Sequence, residues 1–261
     1  MGLCRNIDEI PGEEIAPGVV KRVLLRPEEN GYGPPGELTV THYTLTKGGV
    51  LTLDEPMVEY QDYIVSGVAL FGINSQPLHY WSKSPHVDPE KIWYSGGKSL
   101  LLADTTIFVP TNRIHTYTHE GESDTRIVSR KYSVPRRSHR HCKHRIARFT
   151  DPSGEQQLIT EEFHALFGAQ RIHAIDIQSS GRNRHQNPEE TCYFMRGTGE
   201  MFVGDKWYKV RPGSLVYVEE GEAHEIKNTS KDGYPLQYTC TEYMEQDKMW
   251  SERGFQGKVK D

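Results

Sequence analysis

Cysteine and long apolar runs are both scarce in this sequence. Its 261 residues hold four cysteines, Cys4, Cys142, Cys192 and Cys240, without the paired spacing of a zinc finger or a disulfide framework. They are expected to be reduced thiols, with Cys192 and Cys240 read as small core residues because no base adjoins them in sequence. No segment approaches the roughly 20 apolar residues of a membrane span. The N-terminus, MGLCRNIDEIPGEEIAPG, carries acids and prolines where a signal peptide needs a basic start and an apolar run. Asn6 also stands where a myristoylation signal has Ser or Thr. A cytoplasmic protein with no membrane partner is the resulting expectation.

Excess positive charge is missing too. Lysine and arginine number 31 against 36 acids, a formal net charge of −5, so nothing draws the whole chain to nucleic acid. The one dense basic run, Arg136 to Arg145, is read as a solvated linker between domains. Its alternatives are a metal cluster of His139, His141, Cys142 and His144, or an anion-binding strip. Neither has regular ligand spacing behind it.

What is abundant is strand signal. Runs such as 37–45, 100–109 and 125–132 are rich in β-branched and aromatic residues and bounded by Gly, Pro, Asn and Asp. One segment differs: Thr160 followed by acids, with Phe163, Leu166 and Phe167 on one face, predicts a short helix over 160–167. The two halves also repeat each other. Tyr63 to Gly67 to Phe71 and the run ending at His115 parallel Tyr193 to Gly197 to Val203 and the run ending at His224. Two copies of one β domain explain this better than a single sheet. The expected division is 1–135, a linker with its helix over 136–168, and 169–261.

The second half resembles the cupin superfamily. Its first motif is matched by Asn183-x-His185-x4-Glu190-x6-Gly197, with Asn in place of the first His. Its second is matched by Gly213-x5-Glu219-x-Gly221-x2-His224-x3-Asn228, with Glu219 in place of Pro. The resemblance implies an all-β fold of two cupin (double-stranded β-helix, jelly-roll) barrels with a short helix between them. It implies that His185, Glu190 and His224 hold a divalent transition metal, with Asn183 as a weaker fourth ligand. Two imidazoles and a carboxylate make a facial set with open positions, and ligand type alone does not choose among Fe, Mn, Ni, Co, Cu and Zn. In the first half Glu55, Glu59 and Tyr60 fall near the ligand positions and His115 falls where His224 falls, but no His remains in the first motif, so that barrel is expected to be degenerate; a second metal held by Glu55, Glu59 and His115 is the alternative.

The layout is similar to that of (S)-ureidoglycine aminohydrolase-type bicupins. The expected function is a metal-dependent enzyme acting on a small polar, anionic metabolite through metal-activated water or a polarised carbonyl. Gln186 or Tyr238 would orient substrate or move a proton, and Arg184, if turned inward, would pair with an anionic group. Two alternatives use the same site: an iron-dependent dioxygenase, and a small-ligand-binding module without turnover. The partner is a small-molecule substrate, and a monomer or homodimer fits a chain that already holds two barrels.

Overall fold

The computed structural model describes residues 2–29, 38–56, 58–75, 98–111, 113–133, 145–148, 154–159, 166–175, 179–185, 189–231, 234–245 and 256–258. The fold is all-β, as its alternating sequence requires. Among the described residues the helical elements are two 3₁₀ turns, Ile7–Glu9 and Pro27–Glu29. No helix among them is long and apolar enough to cross a membrane.

The strands group into two compact units, one of Gly12–Val23 with Leu38–Ile146, the other of Met1–Pro11, Leu24–Glu37 and Ala147–Asp261. A seven-stranded sheet underlies the first, in the order Arg145–Arg148, Thr105–Val109, Val58–Ser66, Thr125–Ser133, Leu38–Leu45, Val19–Leu25, Glu13–Ala16. Its four-stranded companion runs Val50–Leu53, Arg113–His119, Val68–Ser75, Ser99–Leu102. Tyr60, Ile64, Phe71, Ile107, Tyr117 and Ile127 fill its core.

The second unit repeats the plan. Its six-stranded sheet runs Leu3–Asn6, Ser214–Val218, Glu189–Arg196, Leu236–Glu245, Leu166–Ile175, Gly154–Ile159. A five-stranded sheet runs Lys206–Val210, Gly199–Val203, Ala223–Asn228, Asn183–His185, Gln256–Lys258. Cys192, Phe194, Met201, Val216, Ile226 and Tyr238 belong to its core. The edge strand Leu3–Asn6 comes from the start of the chain and is pinned by Asn6, whose Nδ2 donates to Ser214 Oγ at 3.0 Å.

Of the expected linker, residues 136–144 and 160–165 lie outside those described, while Arg145–Arg148 and Gly154–Ile159 are strands. Leu166 and Phe167, expected on a helix face, instead open the strand Leu166–Ile175, whose ten residues pair with Leu236–Glu245. A short apolar cluster carries too few periods to separate helix from strand, and a long partner strand then decides.

The recurring Gly turn has a backbone reason. Gly67 and Gly197 have φ of +81° and +77°, the left-handed region that side chains resist. A Cβ on Gly197 would also stand 2.6 Å from the Pro235 carbonyl oxygen, whereas one on Gly181, at φ +75°, would meet nothing within 4 Å. Gly181→Ala is therefore expected to cost about 1 kcal/mol and Gly197→Ala about 2–3 kcal/mol in denaturant unfolding. Equal losses would show that the turn yields and that the collision is not real.

Candidate metal centre

In the strand Glu189–Arg196, alternation sends Glu190, Cys192 and Phe194 to one side, and the last two lie in the core of the second unit. Glu190 is thus carried into the barrel by its strand. His224 arrives on Ala223–Asn228, directly opposite Val203 on one side and Asn183 on the other. The two side chains meet: His224 Nε2 lies 3.5 Å from Glu190 Oε2, and both residues are buried. His224 Nδ1 faces the Glu222 carbonyl at 3.4 Å. A proton held on Nδ1 by that contact leaves the Nε2 lone pair directed at the carboxylate side.

The remaining expected residues are placed as follows. Asn183 shares a face with His224 by their direct pairing, is half-buried, and accepts locally from the Arg184 N–H at 2.9 Å. His185 ends that strand, its Cα paired with Gln256, but its side chain lies outside what is described, as does all of Gln186. Tyr238 is buried in the core, tilted against Phe194 with ring centroids 5.2 Å apart. Arg184 pairs with Ala223, on the opposite face of the strand from Asn183, and is exposed. It does not join the cluster.

Two residues that the sequence marked only as core complete the picture. Cys192 and Cys240 face each other across paired strands, and each thiol donates to Glu190 Oε1, at 3.0 and 2.9 Å. One ligand atom from each of Glu190, Cys192 and Cys240 lies within 4.8 Å of the others. Burial first, then the neighbouring Cys192 thiol and Glu190 carboxylate, hold the Cys240 thiol well above its usual range. The thiol is therefore a hydrogen-bond donor and no nucleophile at neutral pH. Cys192 could have been suspected from its place two residues after Glu190, but Cys240 enters through strand register alone.

The donor set suits a divalent metal. A carboxylate and an imidazole converging in an apolar barrel would each be costly to bury without a partner, and a cation satisfies both. A family model described as Cupin domain matches residues 176–241, a span holding all these side chains. Over that span the chain is similar to a cupin domain.

No curated protein sequence matches the chain significantly. Solved structures do align with it along nearly its whole length. Protein Ylba from E. coli superposes with a TM-score of 0.69 at 13% identity, covering 94% of this chain and 92% of that one. A variant of Bacillus subtilis oxalate decarboxylase OxdC gives 0.63 at 12% identity, covering 93% and 77%. A structure from work on the Mn(II) centres of that decarboxylase gives 0.62 at 11% identity, covering 93% and 77%. At such identities the likeness is one of fold.

Strand registers relate the second unit to the first residue by residue. Tyr60 pairs with Val109 and Lys131 as Glu190 pairs with Val218 and Glu242. His115 pairs with Ile73 and Leu53 as His224 pairs with Val203 and Asn183. Asp62 opposes Ser129 as Cys192 opposes Cys240. The first unit therefore keeps the histidine but has Leu53 and Tyr60 where the second has Asn183 and Glu190.

His115 there is consumed by structure: its Nε2 lies 3.1 Å from Asp62 Oδ2, which also accepts from the Tyr117 hydroxyl at 2.6 Å. All three residues are fully buried. Their mutual bonds account for a carboxylate that would otherwise be costly to bury. The alternative ligand set of that half does not assemble, since Glu55 is bound to Lys131 Nζ at 2.7 Å, half-exposed, and Glu59 lies on the other side of its strand from Tyr60 and Asp62.

Proposed function

We propose that the protein is a metal-dependent enzyme acting on a small polar, anionic metabolite at the mouth of its C-terminal barrel. The observation that carries this reading is the approach of His224 Nε2 to Glu190 Oε2 at 3.5 Å, from strands distant in sequence, inside a domain of cupin type. Likeness in fold to a manganese-containing decarboxylase of a small dianion supports it. Within this reading the layout remains similar to that of ureidoglycine aminohydrolase-type bicupins.

His185, Glu190 and His224 would hold the ion, and Asn183, opposite His224, would offer an amide oxygen. A bound ion supplies Lewis acidity, polarising a carbonyl or bringing the pKa of water toward neutrality. Gln186 or Tyr238, the latter set in the barrel wall, would orient the substrate, and of the two only the Tyr238 hydroxyl has a proton to move. Arg184, turned outward, would add positive potential at the rim without direct contact. Glu242, directly paired with Glu190, brings a second buried carboxylate to the same face, so substrate charge would be met by the ion.

Elemental analysis of protein purified without chelator tests the proposal, joined to oxygen-electrode and product assays on small dicarboxylates and ureido acids. About one transition-metal ion per cupin domain, with turnover and no oxygen uptake, is the expected result. Iron with substrate-dependent oxygen uptake would replace this reading by the dioxygenase. Ligand affinity left intact by His224→Ala, without turnover, would replace it by a binding module.

A further inference from the structure

Glu190 presents its two oxygens to different neighbours. Oε2 faces His224, while Oε1 accepts from both Cys192 and Cys240. Three potential ligand atoms thus surround one point on the thiol side of the carboxylate, two of them sulfur, and all three residues are buried. We infer that Cys192, Cys240 and Glu190 form a thiolate-bearing cation site within the barrel, selective for a borderline or soft ion of the zinc class over manganese or magnesium.

Dimensions and chemistry agree. Zinc bonded to sulfur at about 2.3 Å and to a carboxylate oxygen at about 2.0 Å spaces tetrahedral ligands roughly 3.4–3.8 Å apart. The carboxylate-to-sulfur distances of 2.9 and 3.0 Å need open only by several tenths of an ångström, and every pair already lies within 4.8 Å. Thiolates prefer zinc and related ions, whereas manganese and magnesium favour all-oxygen surroundings. Each cysteine loses its S–H proton to solvent on binding, two protons per ion, so two thiolates and the carboxylate face the two positive charges of the ion and the cluster keeps one net negative charge. The register also makes the pair specific to this half, because the matching positions of the first unit are Asp62 and Ser129.

The inference rests on the metal reading only through Glu190, and Co²⁺ separates the two. The test uses the full chain carrying Cys4→Ser and Cys142→Ser, which leaves Cys192 and Cys240 as its only thiols. Stripped of metal and titrated with Co²⁺, it should develop an intense near-ultraviolet thiolate-to-cobalt band that equimolar Zn²⁺ bleaches and excess Mn²⁺ does not. Adding Cys192→Ser or Cys240→Ser should remove at least nine-tenths of that band. Weak visible cobalt bands without the charge-transfer band would overturn the thiolate site while leaving the proposed function standing. Failure to bind Co²⁺ at all would remove both. A band that survives both serine variants also overturns it. Should those variants melt early by circular dichroism, the presence or absence of the band in the parent protein still decides.

Discussion

Replacing Glu190 with alanine is expected to weaken transition-metal binding by more than about 100-fold, measured by competition with a coloured chelator. Loss of a supporting residue around a metal typically costs 10–100-fold, and a ligand should cost more. Here the effect is enlarged because the same carboxylate touches His224 through one oxygen and both thiols through the other. Its removal takes away the one group that touches His224, Cys192 and Cys240 together. Arg184→Ala provides the contrast, since its exposed side chain should leave affinity within about twofold. Equal affinities for the Glu190 variant and the parent would mean that no metal engages this carboxylate, and the proposed function would go with it.

The second large effect concerns acid. His42 is fully buried on Leu38–Leu45, opposite Val128, and its imidazole is pushed down from the ordinary 6.5 to about 3. Burial is the main cause, with the positive charges of Arg126 and Arg22 adding to it. The folded chain thus holds His42 neutral where the unfolded chain would protonate it. That contribution to stability is complete above pH 6.5 and is lost as pH falls toward 3, at about 1.4 kcal/mol per pH unit. By the lower end the loss is on the order of 4 kcal/mol, a large share of the 5–15 kcal/mol typical of a domain. Denaturant unfolding at a series of pH values should show this slope in the parent and not in His42→Gln. Parallel slopes for the two proteins would show that His42 already carries a proton in the folded state, or never gains one on unfolding.

The approach of Glu190 to His224 was legible beforehand because the motif spacing encodes geometry indirectly. Glu190 lies seven residues before Gly197, whose left-handed conformation ends the strand, and alternation from Glu190 to Phe194, ahead of the register shift before Arg196, puts the carboxylate on the core side. His224 follows Gly221 by three residues in the same manner. Arg184 shows where such reasoning stops. It neighbours Asn183 and His185 in sequence, yet strand alternation turns it to the exposed face. The expected helix over 160–167 failed at Leu166 and Phe167 for a related reason, since partner strands outweigh weak local periodicity.

From the sequence alone came the all-β class, the doubled domain, the cupin resemblance of the second half and the candidates Glu190 and His224. These follow from local rules: alternation, turn residues with positive φ, and short motif spacings. Tertiary structure alone decided that Leu3–Asn6 pairs with Ser214–Val218, that His115 is tied to Asp62 and Tyr117, and that Cys240 reaches Glu190 beside Cys192. Each of those depends on register between strands far apart in the chain, and a one-residue slip would turn every side chain to the other face.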